Sequence, residues 1–272
     1  MPFQTPASLP PGNRPYPLDI QVAGGLSASQ VQVIQAGADR WRRAILSAVP
    51  PYVIGGVAIE GMVITAGASP LAAGVEGKTT GPDYRPMNLG WFPVTAAITF
   101  NATTLGQLEA SGMLRYVAEH EIAHALGFGS ALWTWKNLIT QDAVGPLFNG
   151  ADAMVEFGRL RGQGATAVPV ENQGGAGVAN IHWRDSIFGD ELVSSYEPNT
   201  ALSRVTLASL SDLGYVIDSS AGDAYALPRS NELALRLAAP SNLGPRHSHD
   251  THWLRTPGRV LPEQPIEEGP RR

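Results

Sequence analysis

The stretch Ala118–Ser130, AEHEIAHALGFGS, decides how the chain is read. It carries two histidines four residues apart, His120 and His124, with Glu121 beside the first and Gly127 three residues past the second. Residues four apart on a helix project from the same face. Both imidazoles can therefore reach one small cation, while Glu121 can reach a water on that cation without being a ligand. This is the arrangement of a zinc hydrolase. Zinc lowers the pKa of bound water from about 15.7 toward about 7, and a neighbouring carboxylate can then take the proton.

A catalytic zinc site usually takes three protein ligands and keeps one position open. The chain has no cysteine, so any ion must be held by histidine and carboxylate. A disulfide framework, a cysteine nucleophile and latency through a metal-bound cysteine are excluded as well. The third-ligand candidates are His182 in NIHWRD, the histidines His247, His249 and His252 of HSHDTH, and the acids Asp142, Glu156 and Glu171. Gly127 breaks the helix and turns the chain, as in the metzincin pattern. There the third histidine follows almost at once. Here Phe128, Gly129 and Ser130 follow, so the third ligand comes from farther on.

Around this stretch the chain has 272 residues, enough for one large domain or two lobes with a sizeable core. Only 16% of residues are charged, against 30 glycines and 22 prolines, which points to short elements and many turns. The net charge of −5, without a basic stripe, argues against nucleic acid as a partner. Arg40, Arg42 and Arg43 read as the solvated face of an amphipathic helix. No apolar run is long enough to span a bilayer. Residues 1–17 lack the charged start and apolar core of a signal peptide.

The coarse organisation follows from periodicity. Leu18, Ile20 and Val22 alternate as in a strand. A helix opens after Ser27, with Gln30 completing a capping box, and Pro50-Pro51 stops it. VAIEGMVIT and TAAITF read as strands and the segment between them, residues 69–90, as loop. A helix over residues 114–128 carries the opening motif, with one packing face and one chemical face. GADAMVEFGRL and LSRVTLASLSDLGY read as later helices, the second ending at Gly214. From about Pro228 the composition suggests a tail with little packed structure. TAAITF reads either as the upper edge strand of a cleft, to which an extended peptide could add, or as a core strand. HSHDTH reads as weakly metal-binding at most. Trp183 reads as packing, and Arg184 and Asp185 either as residues that hold the loop or orient a metal ligand, or as a surface ion pair.

The chain resembles leishmanolysin-type metzincins, in particular their bacterial relatives. HEIAH is the first motif carrying the resemblance. IHWRDSIFGDELVSSY looks like the second, and AGGLSASQ through ADRW, LSRVTLASLSDLGY and DAYALP look like flanking segments. The resemblance implies that His182 is the third ligand of a single Zn2+ per chain, held with His120 and His124. It implies Glu121 as general base and a protein or peptide substrate. It further implies an α/β (α+β) metzincin-like fold: an N-terminal lobe with a twisted mixed sheet, a backing helix and the active-site helix, then an irregular C-terminal lobe. The boundaries would be an extended segment over residues 1–16, a catalytic domain over 17–227 divided into lobes 17–129 and 130–227, and a proline-rich tail over 228–272. An extracellular setting is expected on the same ground. One departure stands out. Where the family places a methionine beneath the zinc, this chain has Val193, which is shorter and β-branched. Tyr196, just after that turn, is a candidate oxyanion donor. The function expected is a zinc metalloendopeptidase. The alternative, motivated by Val193, is a zinc-binding interaction module with weakened catalysis.

Overall fold

The computed structural model describes residues 16–175, 177–195, 200–229 and 258–264. Strand β1 (Leu18–Gly24) leads into helix α1 (Ala28–Ala44), whose N-terminus is closed by the expected Ser27–Gln30 capping box. Such a box contributes about 1 kcal/mol. The helix stops at Ala44, six residues before the prolines. Ile45 turns extended there and pairs with Ile217, so a tertiary contact ends it first.

The expected strand VAIEGMVIT is two strands. β2 (Tyr52–Ile54) and β3 (Val57–Ile59) form a hairpin, and β4 (Met62–Ser69) starts afresh after Gly61. At Gly61 a Cβ would lie 1.8 Å from the Pro17 carbonyl oxygen, so the break falls where two backbones touch. Strand β5 (Gly77–Tyr84) follows, then β6 (Pro93–Asn101).

The main sheet has the order β1-β4-β6-β5, with β1, β4 and β6 parallel and β5 antiparallel to β6. Helix α1 makes the crossover that parallel pairing of β1 and β4 requires. The structure chooses the core-strand reading of TAAITF and corrects the loop reading of the segment before it. TAAITF lies in β6, inside the sheet between β4 and β5, so it has no free edge. The sheet's edges are β1 and β5, and β5 lies within the stretch read as loop. Its sequence, GKTTGPDY, lacks an apolar alternation because glycine, threonine and proline dominate it. Its pairing is supplied by β6 rather than by its own propensity.

Short helix α2 (Leu105–Ala110) precedes α3 (Leu114–Ala125), which carries the two-histidine motif. Helix α3 packs on α1, β5 and β6. From Val117 to Ala125 every residue of α3 is buried, so its chemical face is as enclosed as its packing face. Arg40 of α1 is not solvated, as the helix pattern suggested. It reaches Glu119 of α3 at 2.9 Å and Asp223 at 2.7 Å, while Arg42 donates to the Leu18 carbonyl.

Beyond α3 the chain forms α4 (Ala131–Trp135), the hairpin of β7 (Ile139–Asp142) and β8 (Gly145–Phe148), and α5 (Ala151–Leu160). Strand β9 (Val168–Pro169) joins β8, and short α6 (Asp185–Phe188) is followed by α7 (Arg204–Asp212). Leu207, Leu210 and Leu213 of the last helix region are buried, as its spacing predicted. Together these elements make a mixed α/β structure with a mixed sheet, consistent with the α+β class. Residues 258–264, in the stretch whose composition suggested little packing, lie against the end of β5. Leu261 donates its N–H to the Tyr84 carbonyl, Arg259 pairs with Asp83, and Leu261 packs with Tyr52 and Val94. Among the described residues no helix is long and apolar enough to cross a membrane.

Candidate metal centre

Helix α3 sets the first two groups. His120 and His124 sit one turn apart, with their Nε2 atoms 3.1 Å from each other. The chain then leaves the helix through Gly127 (φ +109°) and Gly129 (φ +65°), backbone that a side chain would strain. At Gly129 a Cβ would come within 2.3 Å of the Ile181 carbonyl oxygen. The helix end and the segment bearing His182 therefore touch backbone to backbone. His182 Nε2 lies 3.3 Å from both other Nε2 atoms.

The second nitrogen of each ring shows what the first can do. Each Nδ1 donates to a backbone carbonyl: His120 to Leu192 at 2.7 Å, His124 to Phe128 at 3.0 Å, and His182 to Val178 at 2.9 Å. In a neutral ring the proton then sits on Nδ1 and the lone pair on Nε2. Three lone pairs thus face one point. Burial favours the neutral rings, lowering His120 to about 4 and His124 well below its ordinary value. The neighbouring rings push His124 down further.

This donor set fits a small divalent cation. Zinc–nitrogen bonds of about 2.05 Å at tetrahedral angles put ligand nitrogens about 3.3 Å apart. The triangle here has sides of 3.1, 3.3 and 3.3 Å. Among the described residues these three histidines are the one group of metal-binding type whose donor atoms converge. The acidic candidates are engaged elsewhere. Asp142 accepts from backbone N–H groups in the β7–β8 turn, Glu156 pairs with Arg159 and Arg204, and Glu171 accepts from Asn172, Gln173 and Asp185. His247, His249, His252 and Tyr196 lie outside the described residues.

Glu121 is fully buried, and burial raises its carboxyl to about 8 against the opposing pull of Thr79. Thr79 Oγ1 lies 2.6 Å from Glu121 Oε2 and 2.9 Å from the Glu121 carbonyl oxygen. Gly77 leaves room for the carboxyl, since a Cβ there would meet Oε1 at 2.7 Å. Sequence reasoning missed both residues because they belong to the unrecognised strand β5. The carbonyls of Leu192, Phe128 and Val178 were equally invisible, since any residue type supplies one.

The leishmanolysin family profile matches residues 50–238, which include all three histidines and Glu121. The chain belongs to the leishmanolysin family. The family is a zinc-dependent peptidase family. A leishmanolysin homolog from Crithidia fasciculata is 28% identical over 132 residues, covering 45% of this chain and 20% of that protein. The chain thus spans about a fifth of the length of the curated leishmanolysin relative it matches.

Val193 is fully buried in the main core. The residue before it supplies the carbonyl for His120, and the Val193 carbonyl accepts from the Trp183 N–H at 3.1 Å. Trp183 is packing, as expected: its ring stacks with Trp133 and Phe188. Arg184 donates to the Val170 carbonyl, and buried Asp185 accepts from the Ser195 N–H.

Proposed function

We propose that the protein is a zinc-dependent endopeptidase in which His120, His124 and His182 hold the ion and Glu121 moves the proton. The observation that carries this is the Nε2 triangle of 3.1–3.3 Å with every Nδ1 already committed to a carbonyl. A bound zinc ion would supply Lewis acidity toward a peptide carbonyl and acidify a water toward neutrality.

The chain's own groups do the rest. The carbonyls of Leu192, Phe128 and Val178 fix each ring's tautomer, as second-shell acceptors do in metal sites. Glu121 takes a proton from the attacking water at its carboxylate and returns it to the amide nitrogen that leaves. A general base works best with a pKa near the operating pH, and burial moves Glu121 in that direction. Thr79 holds Oε2, which fixes the carboxylate against rotation. Protein or peptide substrates and an extracellular setting complete this reading. So does a metzincin-like division of a catalytic domain over residues 17–227 into lobes 17–129 and 130–227.

The test is metal analysis of protein purified without added zinc, paired with casein digestion with and without a chelator. One zinc per chain and chelator-sensitive cleavage are expected. Protein free of metal that cleaves nothing rejects the proposal. One zinc without cleavage would instead favour the zinc-binding module, and a rise in activity on Val193→Met would then favour a weakened enzyme over a pure binder.

A further inference from the structure

The loop half of the site has a feature the proposed chemistry does not use. Glu191 is fully buried, yet its carboxylate meets four donors. Oε2 accepts from the Val193 N–H at 2.7 Å. Oε1 accepts from the Ser203 N–H at 3.1 Å, from Ser203 Oγ at 2.7 Å and from Thr206 Oγ1. The Leu192 N–H, one residue on, donates to the Ala201 carbonyl at 2.7 Å. Glu191 thus ties the tight turn over residues 191–194 to the N-terminus of α7.

Two arms run from this carboxylate to two of the histidines. In the first, clamping Glu191 and Val193 fixes the Leu192 carbonyl between them, and that carbonyl holds His120 Nδ1. In the second, Thr206 Oγ1 accepts from Trp183 Nε1 at 2.8 Å while donating to Glu191. Trp183 directly follows His182, and its N–H bonds the Val193 carbonyl. One carboxylate is therefore linked to two rings carried by different parts of the chain.

We propose that Glu191 is a positioning residue for the metal centre, holding His120 and His182 in register through the turn rather than touching the ion. This rests on the metal-site reading above. It also accounts for Val193. With the turn fixed through its backbone by a buried carboxylate, the side chain at 193 needs only to fill space. A buried carboxylate is costly unless its acceptor sites are met, and here backbone and hydroxyl donors meet them. Outer-shell partners of this kind change metal affinity by roughly 10- to 100-fold when removed.

The experiment uses the full chain, stripped of metal and titrated with Co2+ under chelator competition. The visible spectrum of the bound ion reports ligand geometry. Glu191→Ala should weaken Co2+ binding about 10- to 100-fold and alter the spectrum. Glu191→Gln, which keeps one acceptor oxygen, should recover part of the loss. Thr206→Val cuts the Trp183 arm together with one of the four donors to Glu191, and should cost less than Glu191→Ala. Asp212→Asn is the control: Asp212 accepts from the first N–H groups of α5, away from the histidines, so it should lower stability and leave the spectrum unchanged. Wild-type affinity and spectrum in Glu191→Gln and Thr206→Val overturn the proposal, as does an equal change in Asp212→Asn. A metal-free readout separates it from the metal-site reading. The His120 Nδ1–H resonance should be slow to exchange in the wild type and fast in the Glu191 variants, whether or not the ion binds. Unchanged exchange sinks the positioning role alone, and failure of the wild type to bind Co2+ or Zn2+ sinks the metal site alone.

Discussion

The two halves of the candidate centre are held by different physics. His120, Glu121 and His124 ride on α3, where the backbone ladder fixes the spacing and neighbouring elements only choose the orientation. His182 sits on an irregular segment with no ladder. There, three buried acids collect backbone N–H groups instead. Glu171 accepts from Asn172, Gln173 and Asp185, Asp185 from Ser195, and Glu191 from Val193 and Ser203. The Glu171 N–H in turn donates to the His182 carbonyl at 2.9 Å. A helix satisfies its own polar groups, whereas a buried loop must borrow partners or lose about 1–3 kcal/mol for each group left unmet. The loop half is therefore the one that single polar substitutions can dismantle.

The sharpest separation of chemistry from scaffold is Glu121→Gln. It should cut peptide hydrolysis by about 10²- to 10⁴-fold while metal content by elemental analysis stays at one ion per chain. Next comes the contact that joins the halves. Gly129→Ala combines a left-handed backbone with a Cβ 2.3 Å from the Ile181 carbonyl oxygen. A loss of about 3 kcal/mol or more in urea unfolding is expected, with reduced metal affinity. Stability within about 0.5 kcal/mol of wild type would mean that the halves do not meet as described.

A smaller effect compares the halves directly. Glu171→Ala strips three N–H groups of their acceptor and should cost about 2–3 kcal/mol. Removing an exposed helix ion pair such as Glu156 with Arg159 should cost less than about 1 kcal/mol. Equal losses in thermal melts would erase the proposed difference.

Metal-free protein should also show a stability maximum in pH. His120, held near 4 against 6.5 unfolded, and His124, lowered in the same direction, stay neutral in the fold. Their contribution is full above pH 6.5 and is lost as pH falls from there toward 4. Glu121, raised to about 8 against 4.5, is protonated in the fold. Its contribution is lost as pH rises from 4.5 to 8. Buried Glu191, raised in the same direction as Glu121, adds to the alkaline loss. Urea melts should therefore lose stability toward both acid and alkaline pH, and Glu121→Gln should flatten the alkaline side. The smallest effect is Thr79→Val. Losing a bond that favours the ionised carboxylate should move the acid limb of the kcat/KM profile to higher pH.

Much of the helical half was legible in advance. The two-histidine spacing, the Ser27 capping box, the leucine pattern of α7 and the glycines that end α3 all lie within short windows governed by local backbone geometry. The grouping of His182 with the pair was also reachable, but through the resemblance and not through spacing. Strand β5 was misread, and with it Thr79 and Gly77, because GKTTGPDY carries no apolar alternation and becomes a strand only beside β6. For the same reason TAAITF was open to reading as an edge. A strand's own sequence does not say which neighbours it has.

The sequence by itself determined which groups can bind a cation and how two of them are spaced, since a helix turn is a property of consecutive residues. Only the tertiary structure decided that three Nε2 lone pairs meet at one point. Their tautomers are set by carbonyls at 128, 178 and 192, their approach by a glycine pressed against Ile181, and their register by a carboxylate at 191. Those partners act through backbone atoms that every residue carries, so only their placement in space distinguishes them.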